Sequence, residues 1–142
     1  MPPNRIVENP VINSPYEMPA RHFRFDAEGI TNEMVEDRRS SAYFIPIPQA
    51  RNHGGHADQL TLDDGLGLDR LQENTRINQI RDAVGKWRLG GYIGVTSTTK
   101  RLLDHWTNPA RDRKLFFCQI EALETVIYLA EAARQFKDEW IL

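Results

Sequence analysis

Apolar residues follow two different rules along this chain, and the change falls near Leu68. Beyond it, Ile77, Ile80, Val84 and Trp87 recur at alternating spacings of three and four, which predicts one amphipathic helix with Asp69 near its start and Gly90-Gly91 after its end. Thr96-Ser97-Thr98-Thr99 supplies hydroxyl caps for a second, short helix carrying Leu102, Leu103 and Trp106, stopped by Asn108-Pro109. A third helix is predicted from about Ala110 to Phe136, the most apolar stretch of the chain. On its wheel Glu121, Glu124, Tyr128, Glu131 and Gln135 share one side. Residues such as Leu115, Phe116, Cys118, Ala122, Leu123, Val126 and Ile127 crowd the rest, so the helix wants cover on most of its surface.

Before Leu68 no such period exists. Seven of the eight prolines fall within the first 48 residues, each removing a backbone donor and biasing its predecessor toward extended geometry. Arg21-His22-Phe23-Arg24-Phe25 alternates weakly. Ser41–Ile47 is rich in strand formers but runs into prolines, as an edge strand can. A short antiparallel pair of these two, joined through Asp26–Arg39, is the expectation, with 49–67 as a polar loop. The fold class predicted is α+β: an irregular, proline-rich, extended region over 1–67, then a helical region over 68–142.

At 142 residues the chain is bounded to one modest core, and 40% hydrophobic with 27% charged residues excludes a wholly disordered chain. No apolar run has signal-peptide or membrane-spanning length, so a cytoplasmic protein is expected. The single cysteine, Cys118, can form neither an internal disulfide nor a zinc cluster, and its apolar surroundings predict a packed hydrophobe. Net charge is -2, but it is distributed unevenly: -5 over residues 1–69, +6 over 70–114 and -3 over the remainder. A basic middle suits phosphates, with Arg88, Lys100 and Arg101 as candidate nucleic-acid contacts; solvated helix faces have the same composition.

Gln119 is the first candidate for specific chemistry, because the wheel groups it with Phe116, Leu123 and Val126 and so predicts a buried amide. An amide offers the acceptor and donor that match the exocyclic amine and N7 of adenine, and Phe116 and Phe117 are placed to cover a base. The competing reading is a core amide capping a loop carbonyl. His53, His56 and Asp58 have ligand-like spacing but sit in a glycine loop, and His22 and His105 lack an obvious partner. No glycine loop of the form G-x-x-x-x-G-K-[ST] is present, since Gly85-Lys86 precedes Trp87. Asp138-Glu139 follows no apolar strand that would place a magnesium-binding acidic pair, and no nucleophile-and-base set suggests catalysis. No catalytic or metal-binding residue is assigned.

Several stretches nonetheless resemble the N-terminal region of bacterial type III restriction endonuclease subunit R and its DEAD/DEAH-box relatives in helicase superfamily 2. They are Glu8–Glu17, Arg21–Asp26, Gly29-Ile30-Thr31, Tyr43–Ile47, Gly90–Thr96 and Leu115–Thr125, so the likeness runs along nearly the whole chain. The resemblance implies a glutamine-bearing helix that leads into a helicase lobe whose phosphate loop and hydrolytic residues lie beyond Leu142. It implies ATP as cofactor, with Mg in the complete parent enzyme, and Gln119, Phe116, Phe117 and Lys114 at the nucleotide. DNA and a modification (methyltransferase) subunit are the implied partners. Many relatives carry a basic residue three positions before the glutamine; this chain has Phe116 there, with Arg113 and Lys114 further back. The expectation is therefore a fragment of an ATP-dependent translocase that is not an enzyme by itself. The alternatives are a free-standing DNA-binding or adaptor domain and a structural scaffold for a partner subunit.

Overall fold

The computed structural model describes residues 9–26, 29–44, 71–138 and 140. Strands β1 (His22–Asp26), β2 (Gly29–Val35), β3 (Ala42–Phe44) and β4 (Leu71–Glu73) precede helices α1 (Thr75–Leu89), α2 (Ser97–Thr107) and α3 (Phe117–Ile127). The fold is α+β, with two short antiparallel strand pairs followed by three helices.

The pairing of the strands differs from the expected one. β1 pairs with β2, drawn from the stretch expected to be a connection, in a register that places His22 opposite Val35 and Asp26 opposite Gly29. Gly29 takes φ 122°, a value glycine alone adopts freely, so the chain can turn back at once. Polar cross-strand pairs then suit a solvated ribbon: Arg24 meets Glu33 at 3.2 Å, and the Thr31 hydroxyl donates to the Arg24 carbonyl at 2.9 Å. β3 pairs instead with β4, which lies where the first helix was expected to start. Asn74 and Asn78 fix that junction. Asn74 N–H donates to the Ser41 carbonyl at 2.8 Å, and Asn78 Oδ1 accepts from Ser41 N–H at 2.8 Å. The helix consequently begins only at Thr75.

α1 ends where Gly90-Gly91 predicted. The following turn is tight: Gly91, Tyr92 and Gly94 all have positive φ, at 78°, 61° and 92°. Tyr92 N–H donates to the Trp87 carbonyl at 3.1 Å and the Trp87 indole donates to the Ile93 carbonyl at 2.8 Å, so hydrogen bonds hold a conformation that a tyrosine disfavours. α2 is capped by Thr96, whose hydroxyl accepts from Thr99 N–H at 3.2 Å. Residues 110–116, expected to be helical, are irregular. After Pro109 the Asn108 side chain accepts from Ala110 N–H at 2.8 Å, closing a turn that stops the helix from starting there. α3 passes into a π-helical turn, Tyr128–Ala132, and the chain leaves it through Lys137 at φ 59°.

Among the described residues the core is small: Val84, Trp87, Tyr92, Leu103, Tyr128, Ala132 and Ala133. Trp87 is its centre, with ring centroids 5.0 Å from Tyr92 and 5.3 Å from Tyr128. α3 meets this core with its acidic side. Glu124 is 0% exposed, whereas Val126 is 66% exposed. Each polar residue of that side has a structural bond. Glu121 takes both ends of the Arg38 guanidinium at 2.7 Å. Glu124 accepts from Arg88 and, at 2.6 Å, from the Tyr92 hydroxyl. Glu131 accepts from Thr96 N–H at 2.9 Å and the Thr99 hydroxyl at 2.8 Å, placing a carboxylate on the N-terminus of α2. Gln135 donates to the Gly94 carbonyl at 3.1 Å. Removing one member of a buried charge pair such as Arg88–Glu124 typically costs about 3–5 kcal/mol, because the other charge is stranded.

Candidate functional site

The start of α3 is built by a segment distant in sequence. Asn13 folds the chain back on itself: its Oδ1 accepts from Ala20 N–H at 3.0 Å and Arg21 N–H at 3.1 Å, while its Nδ2 donates to the Arg21 carbonyl at 2.9 Å. The Pro15 carbonyl presented by this loop accepts from Phe117 N–H at 2.8 Å. The Tyr16 ring then lies 5.4 Å from the Phe116 ring, and both rings remain about half exposed.

Gln119 stands at this corner and is exposed, which corrects the expectation of a buried amide. The reason is the orientation of α3, whose partly buried charge pairs turn the acidic side inward and the Gln119 side outward. Cys118 is likewise exposed rather than packed. The Gln119 Oε1 accepts from Phe116 N–H at 2.9 Å, satisfying one of the free donors of the first helical turn. That bond fixes the amide plane and leaves Nε2 and the second lone pair of Oε1 for a ligand.

The other sequence candidates separate. Phe116 belongs to the corner. Phe117 does not: its ring lies between the guanidiniums of Arg38 and Arg88, at 5.5 and 5.2 Å, and serves the charge ladder beneath α3. Lys114 is exposed in the irregular run before Phe116. Tyr16, which the sequence reading did not single out, takes the place expected for Phe117. Only its Ser-Pro-Tyr setting, a turn that displays an aromatic ring, signals it in the sequence.

Of the three candidate nucleic-acid contacts, Arg88 and Lys100 each have a carboxylate partner. Arg88 is held by Glu124, and that hydrogen bond outweighs burial to push the guanidinium pKa further above its already high value. Lys100 pairs with Asp104 at 2.5 Å and lies 5.2 Å from the Tyr92 ring centroid. Among the described residues, Arg101 alone of the three is exposed without such a bond. The histidine set His53, His56 and Asp58 lies outside the described residues, and His22 has a partner after all in the Asp37 carbonyl at 2.8 Å.

Titration follows the same ladder. Burial opposes ionisation of Glu121, but the bonded Arg38, with Arg81 and Arg88 nearby, holds its carboxyl below the usual range. Burial first, then the bond to Glu124, pushes the Tyr92 phenol well above its ordinary value. Burial and then Asp138 do the same to Tyr128.

Of the hollows that flank α1 among the described residues, two bear on ligand binding. One, of about 420 Å³, is walled by Trp87, Tyr128, Phe136 and Trp140. Its Asp138 carboxylate is already engaged by the Tyr128 hydroxyl and, at 3.3 Å, the Trp140 indole. The other is a groove of about 450 Å³ between residues 37–40 and α1, lined by Arg38, Arg39, Arg81 and Lys86. The net charge of -5 over residues 1–69 conceals it, because Arg38 and Arg39 lie in that acidic stretch.

Among the described residues no helix is long and apolar enough to cross a membrane. Compared with protein-family models, with curated proteins and with solved structures, the chain matches none.

Proposed function

We propose that this chain is the N-terminal part of an ATP-dependent DNA translocase or helicase of a restriction system, similar to type III restriction subunit R, and that it recognises adenine and contacts DNA without hydrolysing ATP. The observation that carries the reading is the corner at the start of α3. There an exposed Gln119 amide, oriented by Phe116 N–H, stands beside the exposed rings of Tyr16 and Phe116. Adenine offers N7 to the amide N–H and its exocyclic amine to the remaining lone pair of Oε1; guanine presents an oxygen where adenine has that amine. In this reading the magnesium ion, the phosphate loop and the modification subunit belong to the rest of the assembly. The outward apolar residues of α3, Val126 foremost, are supporting evidence, because a neighbouring lobe covers such a face.

One observation favours a second reading, a non-enzymatic DNA-binding or adaptor domain. The bond from Phe116 N–H gives Gln119 a sufficient role as a helix cap. A nitrogen-15 NMR titration of the chain separates the two. With ATP, the Gln119 side-chain amide and the Tyr16 and Phe116 signals shift together; GTP at equal concentration leaves them in place. Gln119→Ala removes the preference, a loss on the order of 1–3 kcal/mol for the adenine contact. Unmoved signals with millimolar ATP would reject adenine recognition and leave the adaptor reading.

A further inference from the structure

We infer that the groove between residues 37–40 and α1 binds the phosphodiester backbone of nucleic acid, with Arg39, Arg81 and Lys86 as the phosphate contacts and Gly85 as the opening that lets the backbone approach. The inference rests on the DNA-contact half of the proposed function and moves that contact away from Arg88, which is paired with the buried Glu124, and from Lys100, which is in an exposed pair with Asp104.

The four cations lining the groove are in different states. Arg38 is neutralised by Glu121, which grips it through both terminal nitrogens at 2.7 Å. Arg39 has its guanidinium carbon 4.0 Å from the Phe25 ring centroid. Stacking on a ring orients a guanidinium while leaving its in-plane N–H donors free, which is the arrangement a phosphate needs. Arg81 and Lys86 are in no ion pair among the described residues. Two carboxylates, Asp37 and Asp82, share the groove, and one Asp37 oxygen accepts from Arg38 N–H at 2.6 Å. Three cations in no ion pair among the described residues, of which Arg81 also feels the nearby Glu121 carboxylate, stand against two carboxylates, which favours a chain of spaced phosphates over a compact, highly charged anion.

Gly85 is the independent observation. It sits in the interior of α1, where glycine is a poor helix former, yet a Cβ added there would meet no atom within 4 Å. Internal packing therefore does not require glycine at this place. It lines the groove between Arg81 and Lys86, where a missing side chain clears a path for a bound backbone.

Gly85→Glu tests this directly, since it fills the open space, adds a negative charge and replaces glycine with a better helix former. The wild-type chain should bind a short duplex of arbitrary sequence at low salt. Gly85→Glu should weaken that binding at least tenfold with no fall in Tm. The triple variant Arg39→Gln, Arg81→Gln, Lys86→Gln should lower the slope of log affinity against log salt by ~1 to ~3, at ~0.9 per phosphate lost. Arg101→Ala, on α2, should leave the slope unchanged. Binding that keeps its affinity in Gly85→Glu and its slope in the triple variant overturns the groove while sparing the DNA-contact reading. A wild-type chain that binds no duplex at low salt overturns both. Displacement of the duplex by inorganic phosphate or ATP at equal phosphate concentration would also overturn it, by showing a site for small phosphates.

Discussion

Single carboxylates decide the orientation of α3, and Glu121 shows how. Its carboxyl is held below the usual carboxylate range in the folded chain, because Arg38 and its basic neighbours outweigh the cost of burial. A depressed folded pKa contributes stability that is fully present above the unfolded value and is lost as pH falls through the folded one. Wild-type protein should therefore lose stability on acidification through and below the usual carboxylate range more steeply than Glu121→Gln, while the variant is the less stable of the two at neutral pH. Urea midpoints at a series of pH values measure this, and parallel profiles would mean that the Arg38 pair stores no pH-dependent stability. At this scale the sequence was only half legible. A helical wheel shows which residues share a side, and the group of Glu121, Glu124, Tyr128, Glu131 and Gln135 is correct. It does not show which side faces the core, because that depends on Arg38 and Arg88, separated from Glu121 by 83 residues and from Glu124 by 36. Gln119 and Cys118 were misread for this reason.

Among the elements, those governed by nearby residues were legible. α1 stops at its glycines and α2 lies between its threonine cap and Asn108-Pro109, as local chemistry dictates. β2 was missed because Asn32 and Glu33 break its apolar alternation, and β4 because Leu71–Glu73 becomes a strand only through pairing with β3. α3 carries the sharpest consequence. With its polar side inward, substitutions should have the reverse of the effects hydropathy predicts. Val126→Lys should change stability by no more than about 0.5 kcal/mol, although it places a charge in the most apolar stretch of the chain. Tyr128→Ala, on the supposedly polar side, should cost about 3–5 kcal/mol. Leu102 and Val126 border the same apolar hollow between α2 and α3, and an uncovered face of this kind favours self-association. Sedimentation at high concentration should accordingly show the Leu102→Lys, Val126→Lys double variant less associated than wild type at equal Tm. A large loss of Tm in Val126→Lys would instead place that side chain in the core.

For the molecule as a whole, the strand pairs and the helices are stabilised by different means. Among the described residues, every buried apolar residue of the core comes from α1 onward. Among the described residues the β1–β2 ribbon contributes none, and besides the Tyr16–Phe116 ring contact the segments flanking it are joined to the helices by polar links. These are the Pro15 carbonyl on Phe117 N–H, Ser41 between Asn74 and Asn78, and Arg38 on Glu121. Only the last brings opposite charges together in a partly buried setting, with Arg38 also lying against Phe117. Such a charge-assisted, two-point bond is worth more than the neutral links around it. Local opening energies follow buried contacts, so the ribbon should open independently of the core. Hydrogen exchange in the wild type should be faster at the amides of β1 and β2 than at those of α1 and α3. Arg38→Ala should speed exchange in the ribbon about tenfold or more, since ~1.4 kcal/mol corresponds to one factor of ten, while protection around Val84 and Trp87 changes little. Arg24→Ala, which removes an exposed pair with Glu33, should have a much smaller effect on the ribbon. If Arg38→Ala instead speeds exchange in α1 and α3 as much as in the ribbon, the strands and helices open as one unit, and Arg38 is a support of the common core.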